Sequence, residues 1–187
     1  KEAARTRDGF TMVAVVNEYF LETTKIVKEF LLPYNLTITA CNFLLTLPNT
    51  KCKRIHIDTF PMGNDRHDVM DARLSFFSLS ETPGQIAWWN REIEMVQTSN
   101  PVVLSNGKIQ NRSSLRSKWY IDDVPWEDIP SPSHVEITTG SAFVRTSIPH
   151  TVIQDNGLRI AISYPIKRID TNSVSNTWPI VESIAPH

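Results

Sequence analysis

The residues Asp155-Asn156-Gly157 constrain this chain more than any others. Asn-Gly between two apolar runs favours a two-residue type I′ turn, because both turn positions need a positive φ that Asn and Gly tolerate. With Asn156 and Gly157 as the turn, a hairpin register follows. Gln154 stands opposite Arg159, Val152 opposite Ala161 and His150 opposite Ser163. Cross-strand partners project to the same side, and alternate residues share a face. One face therefore carries His150, Val152, Gln154, Arg159, Ala161 and Ser163; the other carries Thr151, Ile153, Leu158, Ile160 and Ile162. The second face is nearly all apolar and is expected to be buried. The first is made of small residues punctuated by one His and one Arg, as the lining of a cavity inside a β-barrel would be. Arg159 lies four residues from Ser163, roughly 13 Å along a strand. An arginine pointing back toward His150 could bind the far end of a short dicarboxylate whose near end sits by the histidine.

The rest of the chain is read around that hairpin. Its 187 residues suit a single domain, residues 1–187, with a core that needs no staples. From Asp8 to Leu32, apolar residues recur at three- and four-residue steps (Val13, Val16, Phe20, Ile26, Val27, Phe30), which predicts a flanking helix over 8–32 that Pro33 stops. Short strands are expected within 36–47, 54–60, 72–79, 85–89, 135–138, 141–147, 151–154 and 158–164. The polar stretch from Gln97 to Trp119 reads as a long irregular segment, a candidate substrate lid. The C-terminal tail, 166–187, is expected to drape loosely over the core, 36–165. The fold class expected is mostly β with a helical flank, built on a sandwich or barrel-like core.

Charge narrows the partners. Lys and Arg total 19 and Asp and Glu total 20, a net charge of −1. Bulk electrostatics therefore draws the protein neither to nucleic acid nor to an anionic membrane. No apolar run approaches the ~18 residues that a membrane span needs. The two cysteines, Cys41 and Cys52, make no disulfide framework and read as reduced thiols of a cytoplasmic protein. Nothing in the sequence sets the oligomeric state.

Upstream of the hairpin lies Arg54-Ile55-His56-Ile57-Asp58. On a strand His56 and Asp58 point to one side, with Cα atoms ~6.5 Å apart. Two imidazoles and one carboxylate on one side of a metal form the facial triad of non-haem Fe(II) oxygenases, which leaves coordination positions open. His56, Asp58 and His150 supply that set. The rival pair His134-Val135-Glu136 lies too close to His150 for opposing barrel strands and reads as structural. His67 and Asp68 are adjacent, would point apart on a strand, and are expected in a loop. Trp88 and Trp89 read as core and rim packing.

Taken together, His56-Ile57-Asp58, Ala72-Arg73-Leu74-Ser75 with Pro83-Gly84 behind it, and Gly140 through Pro149-His150 to Arg159-Ile160-Ala161-Ile162-Ser163 resemble the Fe(II)/2-oxoglutarate-dependent dioxygenases over roughly residues 55–165. The resemblance implies a double-stranded β-helix core of the jelly-roll, cupin-like kind. It implies that His56, Asp58 and His150 hold Fe(II), and that Arg159 pairs with the distal carboxylate of 2-oxoglutarate, a task suited to a planar, permanently charged fork. Ser163 would add a hydroxyl donor. Some members carry Arg-x-Ser, whereas here that position is Ala161 and Ser163 is one step farther along the same face. Arg73 and Ser75 would contact co-substrate or substrate, and Arg145 is either a second anion contact or a surface charge. The implied reaction consumes O2 and 2-oxoglutarate, hydroxylates a C–H bond of a small molecule or peptide, and releases succinate and CO2. The competing expectation is a non-catalytic jelly-roll binding or structural module, and a third is a cupin-type metalloenzyme using other ligands.

Overall fold

The computed structural model describes residues 11–15, 19–48, 50–51, 55–61, 67–77, 81–90, 93–103, 109–118, 125–154 and 156–185. In chain order these form β1 (Thr11–Val15), α1 (Leu21–Leu31), β2 (Leu36–Ile38), β3 (Asn42–Thr46), β4 (Thr50–Lys51), β5 (His56–Ile57), β6 (Thr59–Pro61), β7 (His67–Val69) and β8 (Ala72–Phe76). There follow β9 (Gly84–Trp88), β10 (Met95–Val103), β11 (Ile109–Ser117), β12 (His134–Thr138), β13 (Ser141–Arg145), β14 (His150–Gln154), β15 (Arg159–Arg168) and α2 (Trp178–Ile184). The protein is mostly β with a small helical part.

Two antiparallel sheets carry the architecture. One has six strands in the order β1-β3-β15-β8-β13, with β2 also on β15. The other has seven in the order β10-β11-β5-β14-β9-β12, with β4 also on β14, while β6 and β7 form a separate ribbon. The period-2 alternation of strands sorts side chains into layers. On β8 and β15, Ala72, Leu74, Ile162, Tyr164 and Ile166 face outward and are covered by Val27 and Leu31 of α1 and Val181 of α2. The opposite faces carry Ala161, which packs with Val144, Phe77 and with Ile86 and Trp88 of β9. Since β9 belongs to the other sheet, the two sheets pack face to face. The outer side of the seven-stranded sheet buries Ile55, Ala87 and Trp89 under Ile129. The Trp89 indole N–H donates to the Pro130 carbonyl at 2.7 Å and fixes that covering segment.

Four expectations change here. The helix expected over 8–32 begins at Leu21; Thr11–Val15 is instead a strand paired with β3. The apolar steps over Val13 fit a helix as well as a strand, and pairing to a sheet edge decides the matter. The stretch 97–119, expected to be irregular, contains an antiparallel hairpin in which Met95 opposes Ser117 and Val103 opposes Ile109. Its Ser- and Thr-rich strands lack the apolar alternation that signals a half-buried strand. The tail 166–187 is not loose. Three residues of it complete β15, and Val174, Thr177 and Val181 are buried. Asp71 accepts hydrogen bonds from the Thr177 and Trp178 backbone N–H groups at 2.9 and 3.4 Å, satisfying the start of α2.

The fourth concerns the hairpin. The chain does turn at Gly157, whose φ is +67°, but β14 and β15 do not pair. Strand β14 joins β5, β9 and β4, while β15 joins β2, β3 and β8. The turn is an arch between facing sheets. Burial does not follow the expected faces: His150, Gln154, Arg159, Ala161 and Ser163 are buried but Val152 only partly so, and on the face expected to be buried Thr151 and Ile162 are buried while Ile153, Leu158 and Ile160 are only partly so. What holds is the layering, with Val152 and Ala161 packed between the sheets, Ile153 in the outer layer and Ile162 under the helices. The residues expected side by side thus look across the space between the sheets.

Leu31 sits at the centre of the layer joining α1 to the six-stranded sheet. Leu31→Ala should destabilise the fold by about 2–5 kcal/mol, the usual cost of a fully buried leucine, seen as a lower urea midpoint with an unchanged slope.

Candidate metal centre

Strand β5 is two residues long and is held by neighbours on both sides. His56 stands opposite Arg116 of β11 and opposite His150 of β14. Directly opposed residues project from the same face, so the two imidazoles meet, with ring centroids 4.5 Å apart. Sequence register had set His150 against Ser163; the pairing with His56 replaces it. Asp58 follows β5 on the same side as His56. Its backbone is pinned at both ends, with the N–H donating to the Thr146 carbonyl at 3.1 Å and the carbonyl accepting from Met70 N–H at 2.9 Å. The Asp58 Oδ1 lies 3.3 Å from His56 Nε2. One ligating atom from each of His56, Asp58 and His150 lies within 4.8 Å of the others, and they are the one such group among the described residues.

The protonation states suit a cation. The Nδ1 of His150 is 2.9 Å from the Ile148 carbonyl. A carbonyl only accepts, so Nδ1 carries the proton and Nε2 keeps its lone pair. Burial, followed by the neighbouring His56, pushes the His150 pKa down to about 4, so the ring is neutral at pH 7. Burial acts to raise the Asp58 pKa, but the Arg73 guanidinium, the His56 hydrogen bond and the two imidazoles outweigh it and hold the carboxyl well below its usual range. The Arg73 Nε donates to Asp58 Oδ2 at 2.5 Å, so Oδ1 is the oxygen that faces the imidazoles, the one a metal would take in place of the His56 contact. Two imidazole nitrogens and one ionised carboxylate oxygen fit a divalent first-row ion with open positions. The site opens on the His56 side, where the side chain is 31% exposed against 17% for Asp58.

Arg159, on β15, lies in the space between the sheets and is only 3% exposed. Burial pushes its pKa down to about 10, which still leaves it charged at neutral pH. Its guanidinium lies 5.0 Å from the centre of the Phe77 ring. Its Nε has no hydrogen-bond partner, and among the described residues no carboxylate pairs with it. A buried cation is costly unless it is paired, and an anion would satisfy this one. Beside it, the Gln154 amide N–H group donates to Thr82 Oγ1 at 3.0 Å, to the Gly157 carbonyl at 3.3 Å and to the Asn156 carbonyl. That anchoring turns Oε1 toward Gly84. A Cβ at position 84 would fall 2.5 Å from Gln154 Oε1 and 2.7 Å from Arg159 Cδ. Glycine is needed there for space.

The remaining candidates divide. Ser75 and Ser163 are cross-strand partners whose buried hydroxyls bond each other at 2.9 Å. Arg73 touches Asp58 itself. Arg145 lies 5.7 Å over the Trp178 ring, so its role is a stacking contact. His134 stacks on Trp88 at the sheet edge, 65% exposed and apart from the triad. His67, expected in a loop, belongs to strand β7. Trp88 and Trp89 are buried packing residues, as expected, and Cys41 is a buried free thiol. Cys52 lies outside the described residues. Sequence reasoning puts Phe77 on the face of Arg73 and Ser75 but gives it no role, quotes Gly84 beside Pro83 without its spatial reason, and misses Thr82. Thr82-Pro83-Gly84 carries only a turn signal, and the close approach that needs Gly84 is a tertiary fact.

Two outcomes follow from this geometry. Mn(II) at about 100 times its Kd should stabilise the protein by about 2.7 kcal/mol, and His150→Ala should erase that gain in a thermal melt. Gly84→Ala should cost about 1–3 kcal/mol, the usual penalty for overpacking, in the same assay without metal.

No helix among the described residues is long and apolar enough to cross a membrane. No protein-family model matches the chain, and no curated protein matches it at a significant level.

Proposed function

We propose that this chain is an Fe(II)- and 2-oxoglutarate-dependent oxygenase with a double-stranded β-helix core, hydroxylating a C–H bond of a small molecule or peptide. The observation that carries the reading is the meeting of His56, Asp58 and His150 in one ligand set, with the buried Arg159, which no carboxylate among the described residues pairs with, on the inward face of the opposite sheet. A metal site alone would fit many activities. The separate buried cation asks for a co-substrate with a second negative end, as 2-oxoglutarate has.

When bound, Fe(II) with 2-oxoglutarate and O2 supplies the oxidising chemistry that places a hydroxyl on carbon and releases succinate and CO2. The chain's residues do the rest. His150 offers Nε2 because Ile148 holds the proton on Nδ1. Asp58 offers Oδ1 because Arg73 occupies Oδ2. Arg159 takes the distal carboxylate through a charge-assisted fork, and Gly84 leaves room for its side chain. Ile86, Trp88, Val144 and Ala161 line the space between the sheets with apolar surface and keep it dry. The more exposed His56 side admits the substrate.

The test is succinate formation from 2-oxoglutarate with Fe(II) and O2. Asp58→Ala and His150→Ala should each abolish it while the protein stays folded; turnover retained in both variants would sink the triad. Arg159→Ala should raise the KM for 2-oxoglutarate about 10- to 100-fold, the loss of one charged hydrogen-bonding partner worth about 1.5–3 kcal/mol. A wild-type protein with neither turnover nor 2-oxoglutarate binding would point instead to a non-catalytic module.

A further inference from the structure

The arch between β14 and β15 carries chemistry of its own, separate from the metal centre. Asn156 is exposed and Gly157 is half-buried. Among the described residues, neither the Asn156 side chain nor the Gly157 N–H has a hydrogen-bond partner. Glycine has no Cβ to hinder approach to its nitrogen, and asparagine is a thermally labile residue.

The carbonyls of the arch, by contrast, are clamped. The Asn156 carbonyl accepts from Thr82 Oγ1 and from Gln154 Nε2. The Gly157 carbonyl accepts from the same amide at 3.3 Å. The Leu158 N–H donates to Glu81 Oε2 at 3.0 Å, and the Leu158 carbonyl accepts from Glu81 N–H at 2.9 Å. Gly157 also lies hard against Thr82, since a Cβ there would fall 2.6 Å from Thr82 Oγ1.

We propose that Asn156 is a deamidation site and that this clamp sets its rate. The Gly157 nitrogen loses its proton and bonds to Asn156 Cγ. The Cγ–Nδ2 bond breaks, and Nδ2 leaves as ammonia with that proton. Water then opens the cyclic imide. Opening at Cγ gives aspartate. Opening at the main-chain carbonyl gives isoaspartate, in which the chain runs through Cγ and the former carbonyl is a free carboxylate. Water is consumed, ammonia is released and nothing is oxidised. Bringing the Gly157 nitrogen onto Cγ rotates the peptide plane whose carbonyl Thr82 and Gln154 hold, so the clamp resists the first step.

The product changes the arch in two ways. In isoaspartate the oxygen held by Thr82 and Gln154 becomes anionic, and the chain before β15 gains a methylene. Gln154 is also the neighbour of Arg159: the Cβ position of residue 84 is 2.5 Å from Gln154 Oε1 and 3.1 Å from Arg159 Nε. The new charge therefore stands one side chain from a buried guanidinium, where the chain crosses between the sheets. The inference does not depend on the oxygenase reading.

The test is tryptic peptide mapping by mass spectrometry after incubation in mildly alkaline buffer, folded and in urea. Trypsin releases Thr146–Arg159, whose only asparagine is Asn156, and Glu92–Lys108, which carries the chain's other Asn-Gly, Asn106-Gly107. Asn100 in the second peptide precedes Pro101, which has no N–H to react. In the folded wild type, Thr146–Arg159 is expected to exchange NH for O and to become a substrate of isoaspartate methyltransferase. Thr82→Val removes the clamping hydroxyl and should speed this about 2- to 10-fold, what the loss of one neutral hydrogen bond allows, while Glu92–Lys108 converts as before. In urea the clamp is gone, and wild-type Asn156 should convert faster than in the fold; this arm needs no variant to fold. No conversion at Asn156 in the folded protein, while the urea sample converts, overturns the site. Conversion no faster in urea than in the fold, or no faster in a folded Thr82→Val than in wild type, overturns the clamp.

Discussion

The ion pair between Arg73 and Asp58 joins the two halves of the molecule at the place where chemistry is expected. Arg73 belongs to the six-stranded sheet, and Asp58 follows a strand of the seven-stranded one. Strand β5 spans two residues, too short to fix the direction of a side chain beyond its own end. The guanidinium does that work from across the gap, with help from the backbone bonds to Thr146 and Met70. The same contact keeps the carboxylate charged despite burial. Alignment, protonation and the closing of the two sheets at this end therefore share one contact.

Much of the site could be read from residue order because it rests on local rules. His56 and Asp58 share a side by strand alternation, and so do Arg159, Ala161 and Ser163. These relations hold whatever the strands pair with. What failed was partner choice. Asn156-Gly157 does mark a reversal, but a local turn signal says nothing about which sheet each arm joins. Strand β15 finds three partners and ten residues of ladder in the six-stranded sheet, far more than a hairpin with the five residues of β14 would supply. His150 and Arg159 are both buried, because two adjacent strands and two facing strands alike bring inward residues together.

The misjudged flanks have related causes. Val13 fits a helical step and a strand alike, so only the neighbouring β3 could decide it. The hairpin of β10 and β11 is polar along much of its length, which removes the apolar alternation that identifies a strand. Gly84 looked like a turn residue because its actual reason, the crowding of Gln154 and Arg159, lies 70 or more residues away in sequence.

The capping of α2 has a consequence beyond stability. Asp71 receives the first N–H groups of that helix on its side chain, while its carbonyl accepts from Thr146 and its neighbour Met70 donates to the Asp58 carbonyl. Thr146 in turn receives the Asp58 N–H. An unbroken relay of hydrogen bonds thus runs from α2 to a candidate metal ligand more than 100 residues earlier in the chain. Anything that pulls on α2, such as a fused domain, a docking partner or a protease cut, is mechanically an operation on the position of Asp58.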